Sequence, residues 1–401
     1  MKSLIRFTTH LLTAATFAAL SPVHAQIPGV SDNEIVIGLF APLSGPLVGF
    51  GLDPLNASKM IYDDVNAKGG IHGRKIRVVV EDDKCTGNEL VGAVKKLVSV
   101  DKVFLLHGGS CTASVAAAQE FVTREKVPFV LLNAAGDNVV FPPSRYIFGA
   151  FVGTQRTFGS ALAHFASESL KAKRVAIIVH DDDYGKANLA AAKAVVERLG
   201  GAVVTQERVP PSITDMTAPM LNIRGARPDA ILSGLYPAPA VLLAQKYGEF
   251  GMTATPLLQS VQGIPTPSVY ANNVGNPDAL KNFYYNWAFT DIDNEAIRTR
   301  FTSMYKKAYP DREPGGYMLS GIPSAQAVVD SLQRAGKDLT REKFVDAMEK
   351  LNLKSEVMVG PLQFAPDRRD ALRTATIIKY DGKTFKPMPG AYVWNGRDGA
   401  Q

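Results

Sequence analysis

Residues 34–76 read EIVIGLFAPLSGPLVGFGLDPLNASKMIYDDVNAKGGIHGRKI. Ile35 to Phe40 is a short apolar run of strand length. It leads into a polar loop rich in glycine and proline, Ser44-Gly45-Pro46 and then Gly49-Phe50-Gly51. A helix follows, with Ala57, Ile61 and Val65 on one face, and Gly69-Gly70 stops it. Ile71 to Ile76 then enters a second strand. Strand, loop, helix and strand in that order form one βαβ unit, which requires a parallel sheet.

The same alternation continues along the chain. Strand-like runs fall at 35–40, 76–81, 103–107, 128–133, 174–180, 202–209, 229–235, 256–259 and 283–289. Helical stretches lie near 54–68, 88–100, 113–125, 156–171, 185–199, 215–225 and 238–250. The expected class is α/β, with parallel sheets covered by helices on both faces. A second sheet begins near Arg174. Arg373 to Gly382 reads as a hairpin strand that ends in a turn.

The N-terminus carries an export address. Lys2 and Arg6 precede an apolar run from Phe7 to Leu20, and Val23-His24-Ala25 offers small residues for cleavage. The expected mature chain begins at Gln26, in the periplasm. The run is short for a membrane span and contains Thr8, Thr9, His10 and Thr13. Formal net charge is +6, of which Lys2 and Arg6 belong to the signal peptide, and there is no dense basic run. This balance does not point to nucleic acid.

The chain from about Asn33 to about Trp394 resembles the periplasmic solute-binding proteins of the Leu/Ile/Val-binding family, partners of ABC importers. The resemblance implies a two-lobed type I periplasmic binding protein fold with three hinge crossovers. They fall near Phe148–Gly153, near Trp287 and near Val359–Pro361. Lobe one is then 33–150 plus 288–358, and lobe two 151–287 plus 359–396. Such a molecule closes by hinge rotation about a ligand, and a monomer is the default. Two cysteines are present, Cys85 and Cys111, each just after an apolar run. In an oxidising compartment they form a disulfide most simply, on adjacent strand ends, and a pair at similar spacing occurs in the resembling family. A cysteine nucleophile is the alternative.

Ligands of parallel sheets bind beyond the carboxyl ends of strands. His107-Gly-Gly-Ser110-Cys111-Thr112 opens a helix, with Ser110 and Thr112 as capping residues and free N–H groups suited to a carboxylate. Asn133-Ala134-Ala135-Gly136-Asp137 lets a ligand approach the backbone, and Asp137 is either a ligand contact or a helix cap. By the resemblance, Thr112 matches a serine that holds the ligand carboxylate. Gly136 and Asp137 match the residues against the ligand head group, and Phe50 matches an aromatic wall. Tyr184 and Tyr236 match tyrosines that face the ligand, and Tyr317 joins them from the other side of the cleft. Gln262 departs from the family, where a glutamate pairs with the ligand ammonium. A buried ammonium needs a counter-charge. Either Asp137 supplies it, or the ligand is a carboxylate without ammonium, such as an aromatic acid.

No cofactor or metal is called for. Asp181, Asp182 and Asp183 are adjacent, so their side chains diverge, and no His or Glu completes a shell. An exported hydrolase or amidase is the competing class, with His107 and His180 as its only reasonable bases. Gly-Gly-Ser110-Cys111-Thr112 lacks the closing glycine of a nucleophile elbow. A ligand sensor of the same fold is the third reading.

Overall fold

An inner strand of the first sheet, β1 (Glu34–Ala41), is buried on both faces from Ile35 to Ala41. That is the environment of a parallel strand covered on each side. Gly38 brings a helix against it: a Cβ there would press on Leu97 and Leu106 at 3.0–3.3 Å. The computed structural model describes residues 27–45, 47–260, 267–292 and 294–396. The expected signal peptide and Gln262 lie outside the described residues.

After β1 come α1 (Val48–Ala67), β2 (Lys75–Asp82), α2 (Gly87–Ser99), β3 (Leu105–Gly108) and α3 (Thr112–Arg124). They are followed by β4 (Phe129–Leu131), α4 (Asp137–Val140) and β5 (Ile147–Phe148). These strands form a five-stranded parallel sheet in the order β2-β1-β3-β4-β5. Next come α5 (Gln155–His164), β6 (Arg174–His180), α6 (Asp183–Arg198), β7 (Ala202–Val209), α7 (Thr217–Ala226), β8 (Ala230–Gly234), α8 (Pro237–Glu249), β9 (Leu257–Gln259), α9 (Pro267–Val274) and β10 (Phe283–Trp287). The chain ends through α10 (Glu295–Ala308), α11 (Gly321–Ala335), α12 (Arg341–Glu349), β11 (Asn352–Leu353), β12 (Leu362–Gln363), β13 (Thr374–Tyr380) and β14 (Phe385–Val393). The second sheet has seven strands, β14-β13-β10-β9-β8-β6-β7, in which β13 alone is reversed, antiparallel to both its neighbours β10 and β14.

The helices after β10 return to the first sheet. α11 packs on α1 and α12. The Ser58 hydroxyl on α1 donates to Gly321 O at 2.8 Å, and a Cβ on Gly321 would run into Pro54 O. α10, α11 and α12, together with the short α4 and α9, go beyond the seven helices read from the sequence. For α10 the reason is visible: it buries only Phe301 and Tyr305 and so carries a sparse apolar period. Three stretches of chain lie together where the sheets meet. Phe289 bridges Met358, Gly149 bridges Asp370, and Phe364 packs edge-on against Phe148 and Phe151.

Cys85 and Cys111 are joined in a disulfide with their Cα atoms 5.5 Å apart. The expected adjacency of their strands does not hold: β1 lies between β2 and β3, so the bridge passes over the end of β1. Beside it, Asp83 is fully buried. Its Oδ1 accepts the Cys85 N–H at 2.9 Å, and its Oδ2 has no partner. Burial pushes this carboxyl up to about 6. Its folded value is above the unfolded one, so ionised Asp83 weakens the fold above about pH 6, and protonation relieves this as pH falls toward 4. Asp83→Asn should therefore raise the melting temperature at pH 7.5, with a gain of at most about 3 kcal/mol that shrinks toward pH 4.5. A pH-independent difference between variant and wild type would refute this origin.

Candidate functional site

Of the expected residues that are described, all but Tyr317 lie in segments that follow strands of the two sheets. α1 begins at Val48, earlier than the sequence pattern indicates, and has Pro54 in its interior. Phe50 thus lies in the first turn of α1 and not in the preceding loop. Pro54 has no N–H to give the carbonyl four residues back. That carbonyl is Phe50 O, and the Asn133 side chain donates to it instead at 2.9 Å. Asn133 stands just past β4, so a backbone vacancy created by one proline ties the aromatic residue to a neighbouring strand end. The Phe50 ring meets Tyr317 edge-on, with centroids 4.9 Å apart. Burial pushes the Tyr317 phenol up to about 12. Asp53 anchors the loop that carries Tyr317 by accepting the Gly315 N–H at 3.1 Å and the Tyr305 hydroxyl at 3.0 Å.

The start of α3 differs from the expectation. Neither Ser110 nor Thr112 caps it; Cys111 occupies the N-cap with no side-chain hydrogen bond. Thr112 is the first helical residue, and its hydroxyl accepts the Gly136 N–H at 3.1 Å. The Ser110 side chain is 2% exposed, and its hydroxyl has no partner. The first-turn N–H groups of a helix have no acceptor within the helix, so this end offers donors beside a buried hydroxyl. Ala135 and Gly136 are buried against it, and a Cβ at Gly136 would strike Thr112.

Asp137 resolves into an ion pair. Arg156 of α5 donates from Nε to Asp137 Oδ2 at 2.7 Å, while Oδ1 is buried without a partner. Burial pushes this carboxyl up to about 6 against the pull of the guanidinium. Arg156 also lies over the Phe141 ring, and Phe141 meets Trp394 edge-on. A residue of the first sheet is thus tied to the first helix of the second.

On the second sheet, Tyr236 stacks between two rings: Tyr184 at 4.9 Å and His180 at 4.5 Å. His180 Nε2 accepts the Tyr236 N–H at 2.9 Å, so the proton resides on Nδ1, which donates to Val209 O at 3.2 Å. Burial lowers its pKa and keeps the ring neutral. His107 is equally committed, between the Tyr62 and Ser324 hydroxyls at 2.7 and 3.0 Å, with burial lowering its pKa to about 3. Both histidines are structural ties. Asp182, treated above as one of a diverging trio, caps α6 through the Gly185 N–H at 2.8 Å and accepts the Tyr236 hydroxyl at 2.9 Å. The Tyr184 hydroxyl is buried close to that of Ser260, which directly follows β9, and neither makes a well-formed hydrogen bond. On the sequence alone, Asn133, Arg156, Asp182 and Ser260 carry no individual role at the site. The signals available were the strand-end positions of Asn133 and Ser260.

The chain is similar to known proteins over most of its length. Residues 34–384 match the family described as periplasmic binding protein. A Leu/Ile/Val-binding protein homolog 7 of Brucella abortus (strain 2308) is 25% identical over 338 residues, covering 80% of this chain and 82% of the relative. An ABC transporter substrate-binding protein from Sphaerobacter thermophilus superposes with a TM-score of 0.80 at 20% identity, over 90% of this chain and 98% of that one. A solute-binding protein of an ABC transporter from R. palustris, in complex with 4-hydroxybenzoate, gives 0.74 at 22% identity, over 90% and 97%. With two lobes, polar groups gathered at the strand ends and a match across most of its length, the chain belongs to the periplasmic binding protein family, whose members are substrate-binding proteins of transporters and not enzymes.

Proposed function

We propose that this protein is the extracytoplasmic binding component of an ABC importer, and that it closes on a small aromatic carboxylate of benzoate or cinnamate type. Residues 1–25 are removed on export, and the monomer presents its closed form to a membrane permease. The moving bodies are 33–150 with 288–358 and 151–287 with 359–396. The observation that carries the reading is the set of buried, unpartnered hydroxyls at the strand ends of both sheets: Ser110 beside the start of α3 in one, Tyr184 and Ser260 in the other. Buried polar atoms without partners are costly unless something completes them. Phe50 and Tyr317 supply an aromatic wall, and the α3 N–H groups with Ser110 suit a carboxylate.

The absence of an ammonium is supported by Asp137. Its charge is already balanced by Arg156, so it is not a free counter-ion. Gln262 is the second support, as an uncharged residue where the family has glutamate. The R. palustris neighbour that holds 4-hydroxybenzoate points the same way. Hydrophobic amino acids are the competing ligands, favoured by the name of the Brucella relative.

A thermal-shift screen of the mature protein separates the two. A ligand that binds only the folded state raises the melting temperature, by the equivalent of about 2.7 kcal/mol at a hundred times its Kd. Benzoate- and cinnamate-type acids should stabilise the protein, and leucine, isoleucine and valine should not. The reverse pattern would make this an amino-acid binder.

A further inference from the structure

The second-sheet wall has a hydrogen-bonding polarity of its own. The Tyr236 hydroxyl carries one proton and donates it to Asp182 Oδ2. Asp182 is held from its other oxygen by the Gly185 N–H, and the Tyr236 ring is held between His180 and Tyr184. With its proton committed, the Tyr236 oxygen is left only to accept. Tyr184, stacked on Tyr236, and Ser260, against Tyr184, carry hydroxyls without a well-formed hydrogen bond, on residues 9% and 1% exposed. The Asp182 carboxylate behind Tyr236 disfavours an anionic group here. A ligand carboxylate is thereby directed to the donors at the start of α3, and its other end meets an acceptor and two uncommitted hydroxyls.

Resting on the aromatic-acid reading above, we infer that Tyr236, oriented by Asp182, selects aromatic acids bearing a phenolic hydroxyl over the same acids without one. The phenol donates to the Tyr236 oxygen and accepts from Tyr184 or Ser260. An unsubstituted ring would offer no donor to the Tyr236 oxygen and no acceptor to Tyr184 or Ser260, and a site built to bond a hydroxyl rejects the analogue that lacks it. A methoxy group restores an acceptor but no donor, so it does not satisfy Tyr236.

The test is calorimetric titration of the mature protein with benzoate, 3- and 4-hydroxybenzoate, and the matching methoxybenzoates. At least one hydroxybenzoate should bind about tenfold or more tighter than both benzoate and its methoxy counterpart. In Tyr236→Phe that ratio should fall toward one, with the melting temperature of the ligand-free variant reporting that it is folded. The methoxy arm tests the need for a donor without any substitution. Equal binding of all the aromatic acids, or a ratio that survives Tyr236→Phe, overturns the inference and leaves the acid reading standing. Binding of leucine with no binding of any aromatic acid overturns both.

Discussion

Ser110→Ala should weaken the binding of a carboxylate ligand about 10- to 100-fold while the ligand-free protein melts no lower than wild type. The Ser110 hydroxyl is buried at the opening of α3 and has no hydrogen-bond partner. Removing it therefore takes away no hydrogen bond from the free protein and relieves an unsatisfied polar group. In the liganded state the same hydroxyl would donate to a carboxylate. A hydrogen bond to a charged group contributes about 1.5–3 kcal/mol, which is the stated loss of affinity. Titration of the variant with the best acid from the screen, together with its ligand-free melting temperature, checks both halves. Undiminished affinity would remove Ser110 from the ligand site. Thr112→Val is the less informative change, because the Thr112 hydroxyl already accepts the Gly136 N–H and its loss would disturb the loop directly.

Removing the disulfide should have the largest effect on stability. The bridge closes a loop with a sequence separation of 26. In the chain-entropy model a loop of that size stabilises the fold by about 3–4 kcal/mol. Cys85→Ser with Cys111→Ser should lower the melting temperature by several degrees. Ligand affinity should fall as well, because Cys111 is the N-cap of α3 and the bridge holds that helix start across the end of β1. Native mass spectrometry of the exported wild type should find no free thiol. A double variant that melts with wild type would refute the stabilising role.

Much of the fold was legible because its determinants are local. The buried strands β1 and β4 are apolar runs, and stops such as Gly69-Gly70 and Gly200 use positive φ that glycine adopts freely. The sparse apolar face of α10 and the Pro54 inside α1 were not legible for the same reason: a tertiary contact, not the local pattern, makes those residues helical. At the site, the residue types and their strand-end positions could be read, but their pairings could not. Ser110 and Thr112 look like caps in sequence, yet one hydroxyl is unpartnered and the other serves Gly136.

The alternation of strands and helices, the small residues around Gly136, the aromatic at Phe50 and the two cysteines follow from the sequence by itself, since period, turn chemistry and residue type act over a few positions. The capture of Phe50 O by Asn133, 83 residues away, belongs to the tertiary structure. So do the Asp137–Arg156 pair across the two sheets, the Tyr236 proton committed to Asp182, and the disulfide that passes over β1. Each depends on which strand ends the sheet order brings side by side, and that order is set by packing whole helices onto whole sheets.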